Sequence, residues 1–259
     1  MPVYNEAGVV GSVFNRVRDF AAEHERFHFL FVDDGSSDAT VDLLEERIAR
    51  SGMAGRIRVH ALGENRGKGY AIRAGIRRSI GEKICFTDGD LAYSLDHLLS
   101  LEAGLDHAEV VIGSRALLTG RQHNISLARK VMGRTFNLSV RLLLGLPYLD
   151  TQAGLKGFRR GAAEEIFSFQ RVYGFAFDVE LIYLARKLSL RVMEVPAEVC
   201  KRHSYKVSKM NLVRDPLRML SSIAGIRFND VAGKYAAKNS TEFRCGGVRP
   251  AAGVRGYDL

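Results

Sequence analysis

Two aspartates, Asp88 and Asp90, stand two positions apart in CFTDGDL, directly after a short apolar run. Open α/β sheets bind ligands at strand ends, and neighbouring carboxylates repel each other unless a cation lies beside them. Their hard oxygen atoms suit Mg²⁺ or Mn²⁺, and Gly89 lets a ligand approach the backbone closely. The pattern predicts a metal-binding pair, although a polar turn explains the motif better when it is taken alone.

A second acidic group, Asp33 and Asp34, ends the apolar run FHFLFV and precedes a Gly-Ser-Ser turn. A carboxylate at this position can accept hydrogen bonds from a base or a ribose. The alternative is that Asp34, Ser36 or Ser37 forms a turn and caps the next helix, which requires no ligand. The residues alone favour neither interpretation.

Basic residues give the third signal. In NRGKGYAIRAG, Lys68 stands at a helix start, where backbone N–H groups favour anions, although glycines in such a turn usually serve packing. Beyond residue 113, basic residues recur beside apolar helical stripes, as is typical of helices at a membrane surface. They are Arg115, Arg129, Arg134, Arg159, Arg202, Lys206 and Lys209. The alternative is that these helices pack on a sheet and show their charge to water.

The apolar periodicity predicts the elements that position these residues. Helical spacing predicts helices over 7–24, 40–52, 67–79 and 94–105, and short apolar runs predict strands over 27–32, 57–62, 83–87 and 109–113. Strands that alternate with helices predict an α/β fold with a mostly parallel, doubly wound sheet.

The second half of the chain follows a different pattern. We predict helices over 125–146 and 176–188, a strand in RVMEVPAEV interrupted by Pro196, and a last amphipathic helix from about residue 212. From residue 232 the chain has no periodicity and many small residues, so we predict a disordered tail over 232–259.

Composition limits the class of protein. The 259 residues carry a net charge of +9, which favours an anionic partner such as nucleic acid, a phosphorylated small molecule or an acidic lipid surface. The widely spaced cysteines Cys85, Cys200 and Cys245 indicate a reducing compartment rather than a disulfide framework. No run approaches the roughly 18 apolar residues of a membrane span, so we expect a soluble or peripheral protein.

Taken in order, several segments resemble glycosyltransferase family 2 over residues 2 to about 228: PVYNE, VDDGSSDAT, NRGKGYAIRAG, TDGDL, GSR, DTQAGLKGFRR and FAFDVELIYLA. The combination of the third, sixth and seventh is most similar to the dolichyl-phosphate β-glucosyltransferase branch, with polyprenyl-phosphate mannose synthases as its nearest relatives. The resemblance implies a GT-A fold over 1–231, with a nucleotide-binding half (about 1–113) and an acceptor- and membrane-facing half (114–231).

The family also has a buried first strand that runs into the Pro-x-Tyr-Asn-Glu turn. Only Met1 precedes Pro2 here, so we expect this first strand to be missing from the chain and the native start to lie upstream. A sheet that lacks the strand would expose backbone donors and acceptors along its neighbour.

The resemblance also implies roles for residues that match its motifs. Nucleotide-sugar binding falls to Pro2, Tyr4, Glu6, Val32, Asp34, Lys68, Asp88, Gly89, Asp90, Arg202 and Lys209, the last two in a mobile basic loop. Asp88 and Asp90 would meet the diphosphate and the metal, Mg²⁺ or Mn²⁺. The acceptor-phosphate set is Arg115, Arg134, Asp150 and Gln152, and the catalytic set is Asp88, Asp90, Asp178 and Arg115.

The implied reaction is inverting transfer of a sugar, glucose from UDP-glucose, to a polyprenyl or dolichyl phosphate. The expected partners are the nucleotide sugar, the lipid phosphate and a membrane surface, with the enzyme peripheral on the cytoplasmic face and no nucleic acid bound. Alternatives are a GDP-mannose-dependent synthase, a member with a soluble sugar acceptor, and a non-catalytic basic module that binds membrane or nucleic acid. Clustered acids at successive strand ends disfavour such a module, because without a metal they would repel phosphates.

Overall fold

A computed structural model describes residues 1–118, 137–174, 176–200 and 214–236. The first half alternates strands and helices: β1 Pro2–Val3, α1 Ala7–Glu23, β2 Phe29–Asp33, α2 Thr40–Ser51, β3 Ile57–Ala61, α3 Lys68–Arg78, β4 Lys83–Thr87, α4 His97–Gly104 and β5 Val110–Ser114. These bounds confirm the elements that periodicity predicts, to within a few residues.

The second half begins with a 3₁₀ turn, Arg115–Leu117. It continues with α5 (137–144), β6 Leu155–Arg159, α6 Arg160–Phe169, α7 Phe177–Lys187, β7 Val192–Pro196 and α8 Arg214–Val231. Periodicity did not predict β6 or α6. In β6 a buried lysine, Lys156, interrupts the apolar pattern, which removes the usual signal of a strand. The first part of the helix predicted over 125–146 lies outside the described residues.

The strands form two groups. The order β1-β2-β3 is parallel throughout, and the order β4-β6-β5-β7 combines a parallel pair, β5 and β7, with a strand β6 that runs antiparallel to both its neighbours. The α/β fold class is therefore confirmed, and β6 is the strand that departs from the parallel arrangement.

The first strand is short. Pro2 and Val3 pair with Val32 and Asp33 in parallel register, so two residues occupy the place expected for this strand. Toward the starts of β2 and β4, these two strands line a cleft of about 390 Å³ that separates the two groups of strands. The groups meet at the other end, where a Cβ on Gly89 would lie 2.1 Å from the Pro2 carbonyl oxygen.

Helices cover both faces of the sheet, because alternate residues of a strand point to opposite sides. Val111 of β5 joins a buried cluster with α1, α2 and α4, whereas its neighbours Val110 and Ile112 join a second cluster with α3, α6 and α7. The amphipathic α1 shows how such a helix docks: its buried residues are Val10, Val13, Phe14, Val17, Phe20 and Ala21. The sheet is thus doubly wound, and its strand ends are left free for a site.

The boundary predicted for the tail is wrong by a few residues. Tyr235 is 3% exposed, and its hydroxyl donates a hydrogen bond to Glu180 Oε1 at 2.5 Å. The packed chain thus extends through residue 236, because an aromatic side chain after α8 reaches the core. The remainder, 237–259, lies outside the described residues. Within the described ranges, none of the helices combines the length and apolarity that a bilayer crossing needs.

Candidate active site

The candidate site lies where the carboxyl ends of the parallel strands meet, the edge at which open α/β sheets bind ligands. Four loops reach it, after β1, β2, β4 and β5, together with the start of α3. The predicted site residues that the structure describes follow these strands or stand in the 137–200 region. Their side-chain contacts centre on three features: a backbone-tied acidic loop, the Asp88–Asp90 turn and two ion pairs.

The acidic loop after β2 is held by its own backbone. Asp33 Oδ2 accepts hydrogen bonds from the Gly35 and Ser36 N–H groups, at 3.1 and 2.9 Å. Asp34 accepts from the N–H groups of Arg66 and Gly67, both at 2.9 Å, and so fastens this loop to the start of α3. Both aspartates are buried. A turn is therefore formed here, and Asp33 rather than Asp34 forms it.

The loop after β1 is tied to the same region. Asn5, which adopts φ 51°, accepts a hydrogen bond from Ser37 N–H through Oδ1 at 2.8 Å. The Glu6 N–H donates to Thr40 Oγ1 at 2.8 Å, and Glu6 stands at the start of α1. Tyr4 is exposed beside them. The predicted positions 2, 4 and 6 thus form one rim of the site.

Val32 is placed differently from its neighbours at the rim. Its side chain is 1% exposed and packs in a small cluster with Ala71 and Ala74. Its N–H donates to the Met1 carbonyl oxygen at 2.8 Å. Val32 therefore supports the sheet beneath the site rather than presenting a side chain to it.

The Asp88–Asp90 turn follows β4 directly, as predicted. The Lys68 ammonium donates to Asp88 Oδ1 at 2.5 Å, and Asp90 Oδ1 accepts from the Ala92 N–H at 3.1 Å. Burial alone would lower the pKa of Lys68, but the Asp88 and Asp178 carboxylates outweigh it and raise that pKa. A charged lysine at the start of α3 thus reaches the acidic turn.

A glycine that sequence reasoning missed lies against this turn. A Cβ on Gly154 would lie 2.2 Å from both carboxylate oxygens of Asp88. Such contact is impossible for any other residue without displacing the carboxylate. The loop before β6 therefore lies directly against Asp88. In the sequence, only the glycine in DTQAGLKGF could have indicated this close approach.

The acidic turn fits a divalent cation. Within the described ranges, groups of three or more His, Cys, Asp or Glu side chains suited to a metal are absent. Mg²⁺ needs only one or two protein carboxylates, because waters and substrate phosphates complete its shell. Asp88 and Asp90 supply oxygen donors of this kind, and Lys68 accounts for one oxygen of Asp88.

The first ion pair joins the partly exposed Arg115 to the buried Asp150. The Arg115 Nε and Nη2 groups donate to the two carboxylate oxygens at 2.6 and 2.9 Å, a bidentate contact, and the Arg115 N–H adds a third hydrogen bond. Burial opposes ionisation of Asp150, but Arg115 outweighs it and lowers the pKa of this carboxyl. The Gln152 N–H donates to Asp150 Oδ1 at 3.2 Å. Three predicted residues therefore meet in one network.

The second ion pair joins Lys156 to Asp178. Lys156 is 1% exposed, and its ammonium donates to Asp178 Oδ1 and to the Ala153 carbonyl oxygen, both at 2.6 Å. Burial raises the pKa of the Asp178 carboxyl, and the Lys156 and Lys68 ammonium groups oppose the rise. Sequence reasoning found Asp178 and missed Lys156, because a lysine within a strand is normally solvent-facing.

Three predicted residues, Arg134, Arg202 and Lys209, lie outside the described residues, as do Arg129 and Lys206. Their roles stay predictions. The described part brings together Lys68 with Asp88, and Arg115 with Asp150 and Gln152. It also places Asp178 in the electrostatic range of Lys68 and Asp88. Among the described residues, Lys68, Arg115 and Lys156 are each paired with a carboxylate, and the aspartates after β2 together with Asp90 leave the site with more acidic than basic side chains.

Comparisons with known proteins point to one family. The profile of the family described as "Glycosyl transferase family 2" matches residues 1–167. A dolichyl-phosphate beta-glucosyltransferase of Dictyostelium discoideum is 29% identical over 252 residues, which cover 92% of this chain and 76% of that protein. Its counterpart in Drosophila melanogaster is 34% identical over 213 residues, covering 75% of this chain and 64% of that protein. The chain thus spans less than two thirds of the length of the second relative.

A solved structure shares the fold. Glucosyl-3-phosphoglycerate synthase from Mycobacterium tuberculosis, crystallised in complex with uridine-diphosphate, superposes with a TM-score of 0.59. The match covers 86% of this chain and 78% of that one, at 20% identity. The similarity establishes the GT-A architecture.

Proposed function

Because the chain belongs to glycosyltransferase family 2, we propose that it transfers glucose from UDP-glucose to a polyprenyl or dolichyl phosphate. The observation that carries the proposal is the meeting of the Asp88–Asp90 turn with Lys68 at the strand ends. The names of the relatives in Dictyostelium and Drosophila support the glucosyl donor and the lipid-phosphate acceptor. A GDP-mannose donor is the alternative to be tested beside it.

The reaction follows from the charges in the site. An oxygen of the lipid phosphate attacks the anomeric carbon, the bond from that carbon to the diphosphate breaks, and the configuration inverts. A phosphate monoester has a second pKa of about 6 and is largely ionised at neutral pH, so a strong general base is not needed. The main barrier is the charge that develops on the leaving diphosphate, which fixed cations can stabilise.

Each residue then has a task. Lys68 stands beside Asp88 and is available to the diphosphate. Asp88 and Asp90 would hold Mg²⁺ or Mn²⁺, which supplies Lewis-acid stabilisation to the leaving group when bound. Arg115, held by Asp150, has a nitrogen that the bidentate contact leaves free, Nη1, to meet the acceptor phosphate. Asp178 binds and orients the sugar.

The acceptor side also has apolar surface. Leu138, Leu142 and Leu143 of α5 are exposed, and so is Leu149, next to Asp150. The Asn137 side chain donates to the Leu149 carbonyl oxygen at 2.8 Å, which ties α5 to this loop. An apolar rim beside an arginine suits a phosphate that carries a hydrocarbon tail. The apolar rim supports our proposal that the enzyme binds peripherally to a membrane, with α5 toward the lipid, and we propose the cytoplasmic face as the side that it binds.

The transfer assay tests the proposed function. Radiolabelled UDP-glucose and polyprenyl phosphate in detergent are incubated with Mn²⁺ or Mg²⁺, with EDTA, and with GDP-mannose as the competing donor. We expect metal-dependent lipid-linked glucose, and Asp90→Ala should lower the rate by about 10²-fold or more, the scale of losing one preorganised charge contact. Asp96→Ala, an exposed aspartate farther along the same loop, is the matched control. Absence of product from both donors would refute the proposal.

The membrane placement has its own test, flotation with anionic vesicles at low and high salt. We expect binding that weakens with salt and that Leu142→Glu weakens further, because a charge would replace an exposed leucine of the apolar rim. Ile80→Glu is the control, since Ile80 is also exposed but precedes β4 at the opposite end of the strand. Equal losses of vesicle binding in the two variants would show that α5 does not contact the lipid.

A further inference from the structure

Lys156 is a charged residue at a place where an apolar one would cost less. Its side chain is 1% exposed, in the middle of the sheet, with the ammonium 5.7 Å from the centre of the Phe86 ring. Taking an ammonium out of water is expensive, and well-packed apolar residues often replace a buried ion pair without loss of stability. Stability therefore gives little reason for the charge.

The contacts of Lys156 point toward the site. Two of its three donors are used, one on the Ala153 carbonyl oxygen and one on Asp178 Oδ1. Ala153 belongs to the same loop as Gly154, the glycine that lies against the Asp88 carboxylate. Lys156 thus fixes both the Asp178 carboxylate and the loop that covers the acidic turn.

The second oxygen of Asp178 is differently placed. No hydrogen bond reaches Asp178 Oδ2 from any part of the chain that the structure describes. Asp178 stands in the first turn of α7, 5% exposed, with Lys156 behind it on β6. Lys68 of α3 and Asp88 after β4 also act on it electrostatically. Because Oδ2 is not among the buried, unpartnered side-chain atoms of the described ranges, it keeps some accessible surface, where a ligand hydroxyl can donate to it.

We propose that Lys156 is a positioning residue, which holds Asp178 by Oδ1 so that Oδ2 accepts a hydrogen bond from a hydroxyl of the donor sugar. The inference rests on the proposed function, since it concerns the sugar of the same nucleotide donor. A hydroxyl is the group that fits, because an ionised carboxylate is acceptor-only and would repel a phosphate oxygen. The neighbouring diphosphate instead belongs with Lys68 and the Asp88–Asp90 turn.

The test compares binding of UDP with binding of UDP-glucose by calorimetry, in Mn²⁺, for four proteins: the parent chain, Lys156→Met, Asp178→Asn and the double variant. In the parent chain we expect UDP-glucose to bind more tightly than UDP. Lys156→Met should lower that gain about tenfold, because one hydrogen bond to a charged group is lost. Its affinity for UDP should fall less than its affinity for UDP-glucose, since the diphosphate does not touch Asp178 and a shift of the Ala153–Gly154 loop acts on both ligands alike.

The double variant distinguishes positioning from a separate contact. If Lys156 acts through Asp178, Lys156→Met should cause no additional loss in the Asp178→Asn background. Lys156→Gln is the conservative variant: its amide can still donate to Oδ1, so it should retain part of the gain, and it replaces Lys156→Met if the latter does not fold. Lys83→Met is the matched control, a strand lysine paired with Asp106 at the far end of β4.

The outcomes separate the inference from the proposed function. Additive losses in the double variant, or a full sugar-dependent gain in both Lys156 variants, would overturn the positioning role while leaving the function in place. A parent chain that binds UDP-glucose no more tightly than UDP would overturn the inference alone, whereas a parent chain that binds neither UDP-glucose nor GDP-mannose would overturn the proposed function and the inference with it.

Discussion

Two sets of buried aspartates in this molecule are held in opposite ways. Asp33 and Asp34, after β2, receive backbone N–H groups of their own turn and of the start of α3. Asp150, on the proposed acceptor side, and Asp178, at the proposed donor sugar, are each held by a side-chain cation, Arg115 or Lys156, and Asp150 also accepts from two backbone N–H groups. All four side chains are less than a tenth exposed.

The difference distinguishes carboxylates that hold loops in place from carboxylates that take part in the proposed reaction. A carboxylate that accepts hydrogen bonds from backbone N–H groups fixes the path of the chain, and those bonds occupy its oxygen atoms. A carboxylate held by a side-chain cation keeps that cation at the site, where the pair can respond to a phosphate or a hydroxyl. We therefore expect substitutions in the first set to act on stability and those in the second to act on the reaction as well.

The largest effect is expected at Lys156. Lys156→Met leaves Asp178 as an unpaired buried carboxylate and should lower the free energy of unfolding by about 3–5 kcal/mol. The double change with Asp178→Asn should recover part of that loss, because no unpaired charge is left. Urea denaturation of the parent chain and the two variants measures both values. A double variant less stable than Lys156→Met would show that the cost comes from packing and not from the charge.

A substitution at Gly154 tests how closely the position of Asp88 is fixed. Gly154→Ala places a Cβ 2.2 Å from the Asp88 carboxylate oxygens, so Asp88 must move. The transfer rate should fall about 10²-fold, because small displacements of a positioned group cost on this scale. Gly161→Ala in α6 is the matched control, since a Cβ there meets open space. Equal rates in the two variants would contradict the close approach.

The Asp150–Arg115 pair should give stability that depends on pH. The folded-state pKa of Asp150 is lowered, so its contribution is present above the unfolded value of about 3.9 and is lost as pH falls through the folded value. Asp150→Asn should cost about 1.5 kcal/mol at neutral pH, the low end for charged hydrogen bonds because Arg115 is partly exposed. Thermal melts between pH 7 and pH 2 measure it. A variant with the same acid dependence as the parent would assign that dependence to other groups.

The smallest effect is expected for Asp33→Asn. The amide oxygen can still accept from the backbone N–H groups of the turn, whereas the charge and the acceptor for the Ser36 hydroxyl are lost, so the cost should be about 1 kcal/mol of unfolding free energy. The same melts measure it. A loss as large as that of Lys156→Met would mean that the turn depends on the charge of Asp33.

The sequence was sufficient for the elements whose apolar pattern is clean. The strand predicted over 83–87 matches β4 residue for residue, and Asp88 and Asp90 follow it as predicted. The strand β6 was missed because a charged residue, Lys156, occupies one of its buried positions and interrupts the apolar pattern. The reason that a lysine can lie there is Asp178, 22 residues away, and no local pattern encodes such a partner.

The same limit applies to the roles of residues within the site. The sequence identified Arg115 and Asp150, but not that they bind each other across 35 residues. It also left open whether the aspartates after β2 form a turn or a ligand contact, and the turn is seen to use Asp33. Long-range pairing, rather than residue type, decides which carboxylates serve the loops and which serve the cations.

The most direct test measures the transfer rate per folded molecule for Asp33→Asn and Asp178→Asn side by side, with UDP-glucose and polyprenyl phosphate in Mn²⁺. The account predicts a rate within about threefold of the parent for Asp33→Asn and a loss of about 10²-fold for Asp178→Asn. Equal losses in the two variants, or a larger loss for Asp33→Asn, would contradict the division between carboxylates that hold loops and carboxylates that hold cations.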